Sequence, residues 1–580
     1  MLKDCLEIFN KNYQAKGEGY IIDSYILDSG SYILVDMKGN KITVLEVSKN
    51  EIDKTQDYYY EIAERDYLSK LIDMNKPVDP FKIIHSNNYL SFFIKKDNLS
   101  SGKLTDRVID NYYEILLDPE KKYSNKKLAA FREAKNKYGD IDASKLGFIK
   151  HWIKENLYSI ADGVNKDKNY LKIIFMEDIE IYKNESYKYL LPNIYNSADY
   201  NVGIEGKIYG VPNNNLGLNA KKPFLELKTR KNSVPYLIPL EEVLAQKSFF
   251  DYLYNQTNAR KNNVYIDMNN DSIIALSDKD AFPEDFSGVF LRIGKGKEVE
   301  ILDYDVLERY RNSLSGLSID KVIPIDYNKE KKNEDLEYGD IKRLDKLKII
   351  IDSVFFDRKL NINYFTESSD IKINDFRLKE NLLRYRGAFF NWFYKGNYTI
   401  IKYAFPTLAL ELIKNSICNS TSTLNTNAKE QYNLKCSIEN FFNKGDKSMA
   451  DILAELAKGL RMKINSDTTA TIESDREYYF AVGQASNYLL SLKKSKQKMH
   501  SLVNPILNCR SDEKLKDELR KLLVKYNYDI NKDNKRVNNI ISMVLGYIPE
   551  GKVDSNILVA GYLYSSLVYE KREKEQDKNE

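Results

Sequence analysis

Between Asn201 and Lys231 the sequence reads NVGIEGKIYGVPNNNLGLNAKKPFLELKTRK, a Gly/Asn-rich stretch running into a strand-like segment with five cations, Lys221, Lys222, Lys228, Arg230 and Lys231. Gly203, Gly206, Gly210 and Gly217 permit tight turns and close approach of the backbone to a ligand. Asn213, Asn214, Asn215 and Asn219 add uncharged donors and acceptors. Cations that hold phosphates beside amides that read polar edges are the chemistry of a nucleic-acid contact. A second chemistry competes for the same residues. Glu226-Leu227-Lys228 has the E-x-K spacing of a metal-dependent nuclease, because alternate strand residues share a face and would set a carboxylate and a cation beside one divalent ion, with Asp199 or Glu205 as a further acidic ligand. Pro223 and the surrounding cations favour the phosphate contact.

A second basic run lies near the C-terminus. Lys493, Lys494, Lys496 and Lys498 follow a helix end, and Arg510, Lys514, Lys516, Arg520, Lys521, Lys525, Lys532, Lys535 and Arg536 complete thirteen cations against six anions. A groove for a single strand or a heteroduplex backbone is one reading. A solvated surface with i,i+4 pairs, Asp512 to Lys516 and Asp517 to Lys521, is the other. Arg292-Ile293-Gly294-Lys295-Gly296-Lys297 is either a plain hairpin or a phosphate contact. Arg384, Arg386, Trp392, Lys395 and Lys402 read as the edge of a core.

KKPFLELKTRKNSVPY followed by EEVLAQKSFFDYL resembles the large subunit of the type I-B CRISPR effector complex, the Cascade assembly that carries a guide RNA. DREYYFAVGQASNYLLSLKKSKQKMHSLVNPILNCRSDEKLKDELRKLLVKYNYDI resembles the C-terminal part of the same subunit. The resemblance is strongest over 201–255 and 475–569 and does not extend to the first 200 residues. It implies a non-catalytic component of antiviral defence that binds target double-stranded DNA, recognises a short flanking motif and stabilises the opened R-loop. Its implied partners are the guide CRISPR RNA, the backbone, 5′-handle-binding and small subunits, and a helicase-nuclease recruited after target binding. On this reading Lys221, Lys222, Lys228, Arg230 and Lys231 bind phosphates, while Asn213 to Asn215 with Lys207 probe base edges in the minor groove. The C-terminal bundle, through Lys493, Lys494, Lys496, Lys498, Arg520 and Lys521, holds the displaced strand. Family members can translate this region separately as a small subunit, for which Met449 and Met462 are candidate starts. Some carry a paired-cysteine metal site; this chain does not, so no zinc, other metal or cofactor is expected.

These residues need elements to hold them. Asp28-Ser29-Gly30 and Lys38-Gly39-Asn40 punctuate an alternating pattern from Tyr20 to Val47 that predicts an antiparallel meander. Helical spacing is expected over Asp53–Met74, Asp106–Leu117, Asn125–Asn136 and Leu240–Gln256. Strands are expected over Phe81–Ile94, Leu171–Tyr182, Lys222–Lys228, Val264–Ile266, Ile273–Ala275 and Val289–Ile293. The polar segment Asp326–Asp340 reads as a linker or exposed loop, and Asn415–Glu430 as a second polar stretch. Beyond them the pattern turns helical: Ile341–Phe356, Asp375–Tyr394, Met449–Lys463, Asp475–Lys494, Asp512–Tyr526, Lys535–Gly546 and Asp554–Tyr569 carry apolar stripes. Ala481, Gly483, Ala485 and Ser486 would admit another helix closely. The expected class is α+β, a mixed α/β N-terminal region followed by an all-helical C-terminal bundle. Its regions are 1–200, 201–325 with the basic loop, a helical connection 341–435, the bundle 437–570 and a disordered tail 571–580.

The totals set outer bounds. At 580 residues the chain exceeds one ordinary hydrophobic core, and 42% hydrophobic with 30% charged residues marks a globular composition. A net charge of only +4 means that attraction to a polyanion must come from local clusters. The abundant tyrosine, lysine, asparagine and isoleucine fit an AT-rich coding bias and carry no functional weight. Cys5, Cys418, Cys436 and Cys509 are far apart with no CxxC pair, which predicts neither zinc nor disulfides and fits a reducing cytoplasm. MLKDCLEIFNKNYQ reads as a short amphipathic helix rather than an export signal, and no stretch is suited to a membrane. His85, His151 and His500 lack a nucleophile pattern, and no phosphate-cradling or catalytic motif stands out, so no catalytic residue is expected.

Overall fold

The computed structural model describes residues 1–48, 53–123, 125–197, 200–212, 229, 237–329, 331–420, 425–443, 449–468, 470–492, 500–530 and 533–570. The chain divides into two compact units, residues 1–280 with 287–306, and residues 281–286 with 307–580. The first mixes helices and sheets and the second is built mainly of helices, as the pattern predicts.

In the first unit α1 (Leu2–Lys16) and α2 (Gly19–Ile22) precede β1 (Gly30–Val35) and β2 (Lys41–Val47). Then come α3 (Tyr59–Ser69), β3 (Ser91–Lys95), α4 (Lys96–Ser100), α5 (Asp106–Leu117), α6 (Asn125–Tyr138), α7 (Ala143–Asp162), β4 (Tyr170–Phe175) and α8 (Ile179–Leu190). The strands form a mixed sheet in the order β2-β1-β4-β3, with β1 and β4 parallel. Every residue of β1 is buried, as expected for a strand covered on both faces. β5 (Val202–Ile204), β6 (Lys207–Gly210) and β7 (Ile238–Pro239) form a small antiparallel sheet leading into α9 (Leu240–Asn258). β8 (Asn263–Asp267), β9 (Ser272–Leu276), β10 (Asp285–Lys295) and β11 (Val299–Arg311) make a further sheet ordered β11-β10-β8-β9. One apolar core joins the first sheet to α5, α7 and α8. Another packs Phe9 of α1 and Phe249, Tyr252 and Leu253 of α9 on β8 and β10.

The second unit has a two-stranded ladder, β12 (Ser318–Ile319) and β13 (Gly339–Asp340), and then α10 (Leu344–Phe356), α11 (Phe376–Lys395), α12 (Thr399–Asn419) and α13 (Thr426–Asn443). α14 (Met449–Asn465), α15 (Asp475–Ser491), α16 (Asn504–Leu507), α17 (Asp512–Tyr526), α18 (Lys535–Gly546) and α19 (Ser555–Leu563) follow. Among the described residues no helix is long and apolar enough to cross a membrane.

Several expectations are corrected. Tyr20–Ile22 is helical, because Tyr20 stacks on Tyr252 at 4.9 Å instead of joining a sheet, so the meander reduces to the hairpin β1–β2. The strand expected to reach Tyr182 stops at Phe175. Asp178 caps a helix there, its side chain accepting from Glu180 N. Only Ser91–Lys95 of the 81–94 stretch is a named strand, and the 53–74 helix contracts to α3. Residues 326–340 are tied into the second unit: Tyr327 and Tyr338 hydroxyls lie 2.8 Å apart, Tyr327 and Asn333 N donate to Glu430, and Leu336 is buried. The polar 415–430 stretch covers the end of α12 and the start of α13, whose Gln431, Asn433 and Ser437 are buried and hydrogen-bonded. The strand over 222–228 and the tail 571–580 lie outside the described residues.

The small residues of α15 do admit a neighbour. A Cβ on Gly483 would lie 2.5 Å from Tyr562 N, and one on Gly561 would lie 2.9 Å from Phe480 Cα, so α15 and α19 touch backbone to backbone. Gly483→Ala is therefore expected to destabilise the second unit by about 1–3 kcal/mol through overpacking. Gly546→Ala, where the added carbon meets open space, should change stability by less than about 1 kcal/mol. Urea denaturation of both variants checks this, and equal midpoints would refute the backbone contact.

Burial pushes the Asp352 carboxyl up to about 6, against the hydrogen bonds from Leu360 and Asn361 N–H and the charges of Lys348 and Arg358, which favour its ionised form. The neutral acid is thus favoured in the fold. This contribution is fully present below the unfolded value of 3.8 and is lost as pH rises through about 6. Asp352→Asn keeps an acceptor for Leu360 N, so the variant should gain stability over the native chain by about 3 kcal/mol more near pH 7 than below about pH 3.8. Unfolding curves at both pH values that show the same difference would contradict the burial argument.

Candidate functional site

The described foundation of the basic segment is the β5-β6-β7 sheet. Glu205 and Gly206, at φ 50° and 77°, make a two-residue turn that pairs Ile204 with Lys207. Gly210 of β6 pairs with Ile238 of β7, so the chain leaves β6 and re-enters on its neighbour. Tyr195 clamps that junction: its hydroxyl lies 3.2 Å from both Ile208 O and Ile238 O, and its carbonyl accepts from Lys76 Nζ at 2.7 Å. Burial raises the Tyr195 phenol above its ordinary range, so it stays a neutral donor. Asn196 N donates to Val211 O at 2.8 Å. Gly210 must be glycine here, because a Cβ would come within 2.5 Å of Asn201 Oδ1 and 2.6 Å of the Tyr195 ring. Leu190, Ile194, Tyr195, Ile238 and Val243 form the small core beneath.

Lys207, the first residue of β6, is exposed, with Nζ 3.3 Å from Glu241 Oε2. Such a pair contributes little to stability and is readily exchanged for another anion. Asn213, Asn214, Asn215, Asn219, Lys221, Lys222, Lys228, Arg230 and Lys231 lie outside the described residues. So do Asp199 and Glu226 of the nuclease reading and Lys493, Lys494, Lys496 and Lys498. Glu205, the remaining candidate ligand, sits exposed at the hairpin tip.

The second basic run separates into two kinds of cation. Lys516 is buried, pairs with Asp512 at 2.9 Å and donates to Tyr547 O. Arg536 donates to Asn465 Oδ1 at 2.7 Å and to Glu570 O. Arg520 and Lys521 are exposed on α17 and pair at i,i+3, Arg520 with Asp517 at 3.0 Å and Lys521 with Glu518 at 2.6 Å. The expected Asp517 to Lys521 pair is replaced because Arg520 takes Asp517. The Glu518 hydrogen bond raises the Lys521 pKa, keeping it charged. Lys514 and Lys525 share the exposed side of α17 with Val524, and Tyr528, 97% exposed, follows the helix. Tyr528 gives no signal in the sequence, because tyrosine is common throughout this chain.

Elsewhere the cations serve the fold. Arg292 is buried, its Nη1 2.6 Å from Asp278 Oδ1 and 2.7 Å from Asn263 Oδ1, so the 292–297 turn is the plain hairpin alternative at this residue. Arg386 donates to Asn363 O and Thr366 O, and Trp392 is buried, as an edge-of-core group would be. Arg132 pairs with Glu120 through two hydrogen bonds. Burial pushes the thiols of Cys5 and Cys436 up to about 11 and about 12, away from nucleophilic thiolate. Among the described residues no group of three or more His, Cys, Asp or Glu side chains is placed to hold a metal ion.

Tyr195→Phe removes the hydroxyl that spans β6 and β7 while keeping the ring in its core. It is expected to cost about 1 kcal/mol, felt locally. Hydrogen exchange at Gly210 and Ile238 should accelerate while exchange in β1 and β4 does not, and unchanged exchange at both strands would show that the clamp is idle. No protein-family model matches this sequence, and no curated protein or solved structure matches it either.

Proposed function

We propose that this chain is a non-catalytic, polynucleotide-binding large subunit of an RNA-guided DNA surveillance complex of the type I-B Cascade kind. One observation carries the reading: the segment bearing Lys221, Lys222, Lys228, Arg230 and Lys231 starts and ends on adjacent strands that Tyr195 and Gly210 lock together. A cationic segment on a rigid footing loses less entropy on binding than one on a loose footing. Its charge is matched to phosphate, with Asn213 to Asn215 and Lys207 beside it to meet base edges in a flanking duplex. The outer face of α17 adds a second contact. Lys514, Arg520, Lys521 and Lys525 are exposed along it and the exposed Tyr528 ring follows its end, a combination of cations and an aromatic ring suited to single-stranded nucleic acid held without reading it. Guide pairing supplies the sequence specificity, so the protein needs only a short motif and the backbone. The other Cascade subunits, the guide RNA and a recruited helicase-nuclease are the partners this role requires, in the cytoplasm.

Replacing Lys221, Lys222, Arg230 and Lys231 together with Ala should leave assembly of the purified complex intact and weaken binding to target duplex. The slope of log affinity against log salt should fall by about 0.9 for each phosphate that the variant no longer neutralises. Replacing Lys514, Lys521, Lys525 and Tyr528 with Ala should spare duplex binding and weaken single-strand binding, the ring alone by about 1–3 kcal/mol. Anisotropy titrations over a salt series read both, and affinities equal to the native complex would remove the proposal.

A further inference from the structure

The first unit holds a partly open cavity of about 360 Å³ whose walls come from the chain before β1, the end of α3, β3, β4, α8 and α9. Its size falls within the range of small-molecule sites. Behind the inner wall, Asp66 of α3 is fully buried and both its oxygens are taken: Lys172 Nζ lies 2.5 Å from Oδ1 and the Tyr25 hydroxyl 2.5 Å from Oδ2. Lys70, one helical turn on, is left with weaker partners. Its Nζ is 3.6 Å from Asp66 Oδ2 and 3.5 Å from Asp28 Oδ2, beyond the roughly 2.7–2.9 Å of a charge-assisted hydrogen bond. Burial disfavours its charged form, but Asp66 and Asp28 outweigh that and its pKa is raised, so the ammonium persists.

The other ionisable groups lining the cavity are engaged. Lys247 pairs with Asp251 at 2.6 Å, and Asp251 also accepts from Tyr67. His85 Nε2 lies 3.0 Å from Lys82 O, which can only accept, so the proton is on Nε2 and Nδ1 accepts from Tyr170 at 2.8 Å. Burial lowers the His85 pKa and keeps the ring neutral. Phe93, Tyr170, Tyr189 and Tyr254 supply aromatic wall. Asn258, at the end of α9, accepts from Lys295 through its carbonyl oxygen, which leaves its amide protons as donors at the rim. A cation held only at 3.5–3.6 Å by Asp28 and Asp66 and at 4.4 Å by the Tyr25 ring, an aromatic wall and an amide together suit an anion attached to a planar ring.

We propose that this cavity binds a nucleoside monophosphate unit, its phosphate on Lys70 and its base against the tyrosine wall beside Asn258. The unit is either a free mononucleotide or the 5′-terminal nucleotide of a strand. The proposal is independent of the basic loop, since none of its residues belongs to that segment.

The test is calorimetric titration of the full chain with inorganic phosphate, AMP, UMP and a 5′-phosphorylated tetranucleotide, for the native protein and for Lys70→Met and Asn258→Asp. Asn258→Asp keeps an acceptor for Lys295 and sits at a half-buried helix end, so it provides a reading if Lys70→Met fails to fold. Saturable binding of a mononucleotide, weakened at least about tenfold in either variant, is the expected result for a free ligand. Binding of the tetranucleotide but neither mononucleotide, abolished when its 5′-phosphate is removed and weakened by the same variants, supports a strand terminus. Binding of inorganic phosphate as tight as that of AMP and UMP overturns the assignment. So does the lack of any saturable binding up to millimolar ligand, or equal affinity in native and variant chains.

Discussion

The buried pair of Asp66 and Lys172 fixes the first unit. Asp66 comes from α3 and Lys172 from β4, and the ammonium lies within 5.0 Å of the Tyr32 ring centre and 4.8 Å of that of Phe93. Burial lowers the Lys172 pKa, and Asp66 only partly restores it. A hydrophobic pair would pack α3 on the sheet at several registers, whereas removing the Asp66 charge strands the buried Lys172 ammonium at a cost of about 3–5 kcal/mol. α3 therefore docks in one register. That register carries Lys70 to the cavity wall, its ammonium 3.6 Å from the Asp66 Oδ2 that also accepts from the Tyr25 hydroxyl.

The second unit applies a related rule to polar rather than charged groups. α13 buries Glu430, Gln431, Asn433, Lys435 and Ser437, and each reaches a partner: Gln431 donates to Val354 O, Asn433 brackets Ile323, Lys435 meets Glu439 and Asn556, and Ser437 accepts from Asp320 N. These bonds draw in segments that are polar themselves. Residues 326–340 look like a linker because they offer little to a hydrophobic core, yet they are held by Glu430 and by the Tyr327–Tyr338 contact. Polarity in sequence signals exposure only when no buried polar helix waits for it.

Legibility of the sequence ends at the same kind of place. α5, α17 and α18 have the boundaries expected from their apolar stripes, and Thr105 and Asn534 cap the first and third by accepting from backbone N–H groups one turn on. α8 reads as strand because apolar residues on both sides of Met176-Glu177-Asp178 blur period two into period 3.6, and the Asp178 cap is a single residue against that run. The candidate site is legible as composition but not as construction. The Asn-rich and cationic stretch stands out as composition, while the Tyr195 clamp joins residues up to 43 positions apart and leaves no local spacing to find. Lys70 and Lys172 are brought to one cavity by the register of α3 on β4, which no sequence window contains.

The distribution of cations explains why a net charge of +4 says so little. Lys172, Arg292, Lys435 and Lys516 are buried and spent on carboxylates, carbonyls or rings. Their charges are cancelled at short range and contribute no outward field. Arg520 and Lys521 also have carboxylate partners, but in water, where such a pair contributes little to holding the side chain. A phosphodiester array offers a neighbouring charge every few ångströms that an isolated Asp or Glu does not. If α17 meets a nucleic-acid strand as proposed, such weak i,i+3 pairs would yield to its phosphates while still occupying the side chains when no polymer is bound.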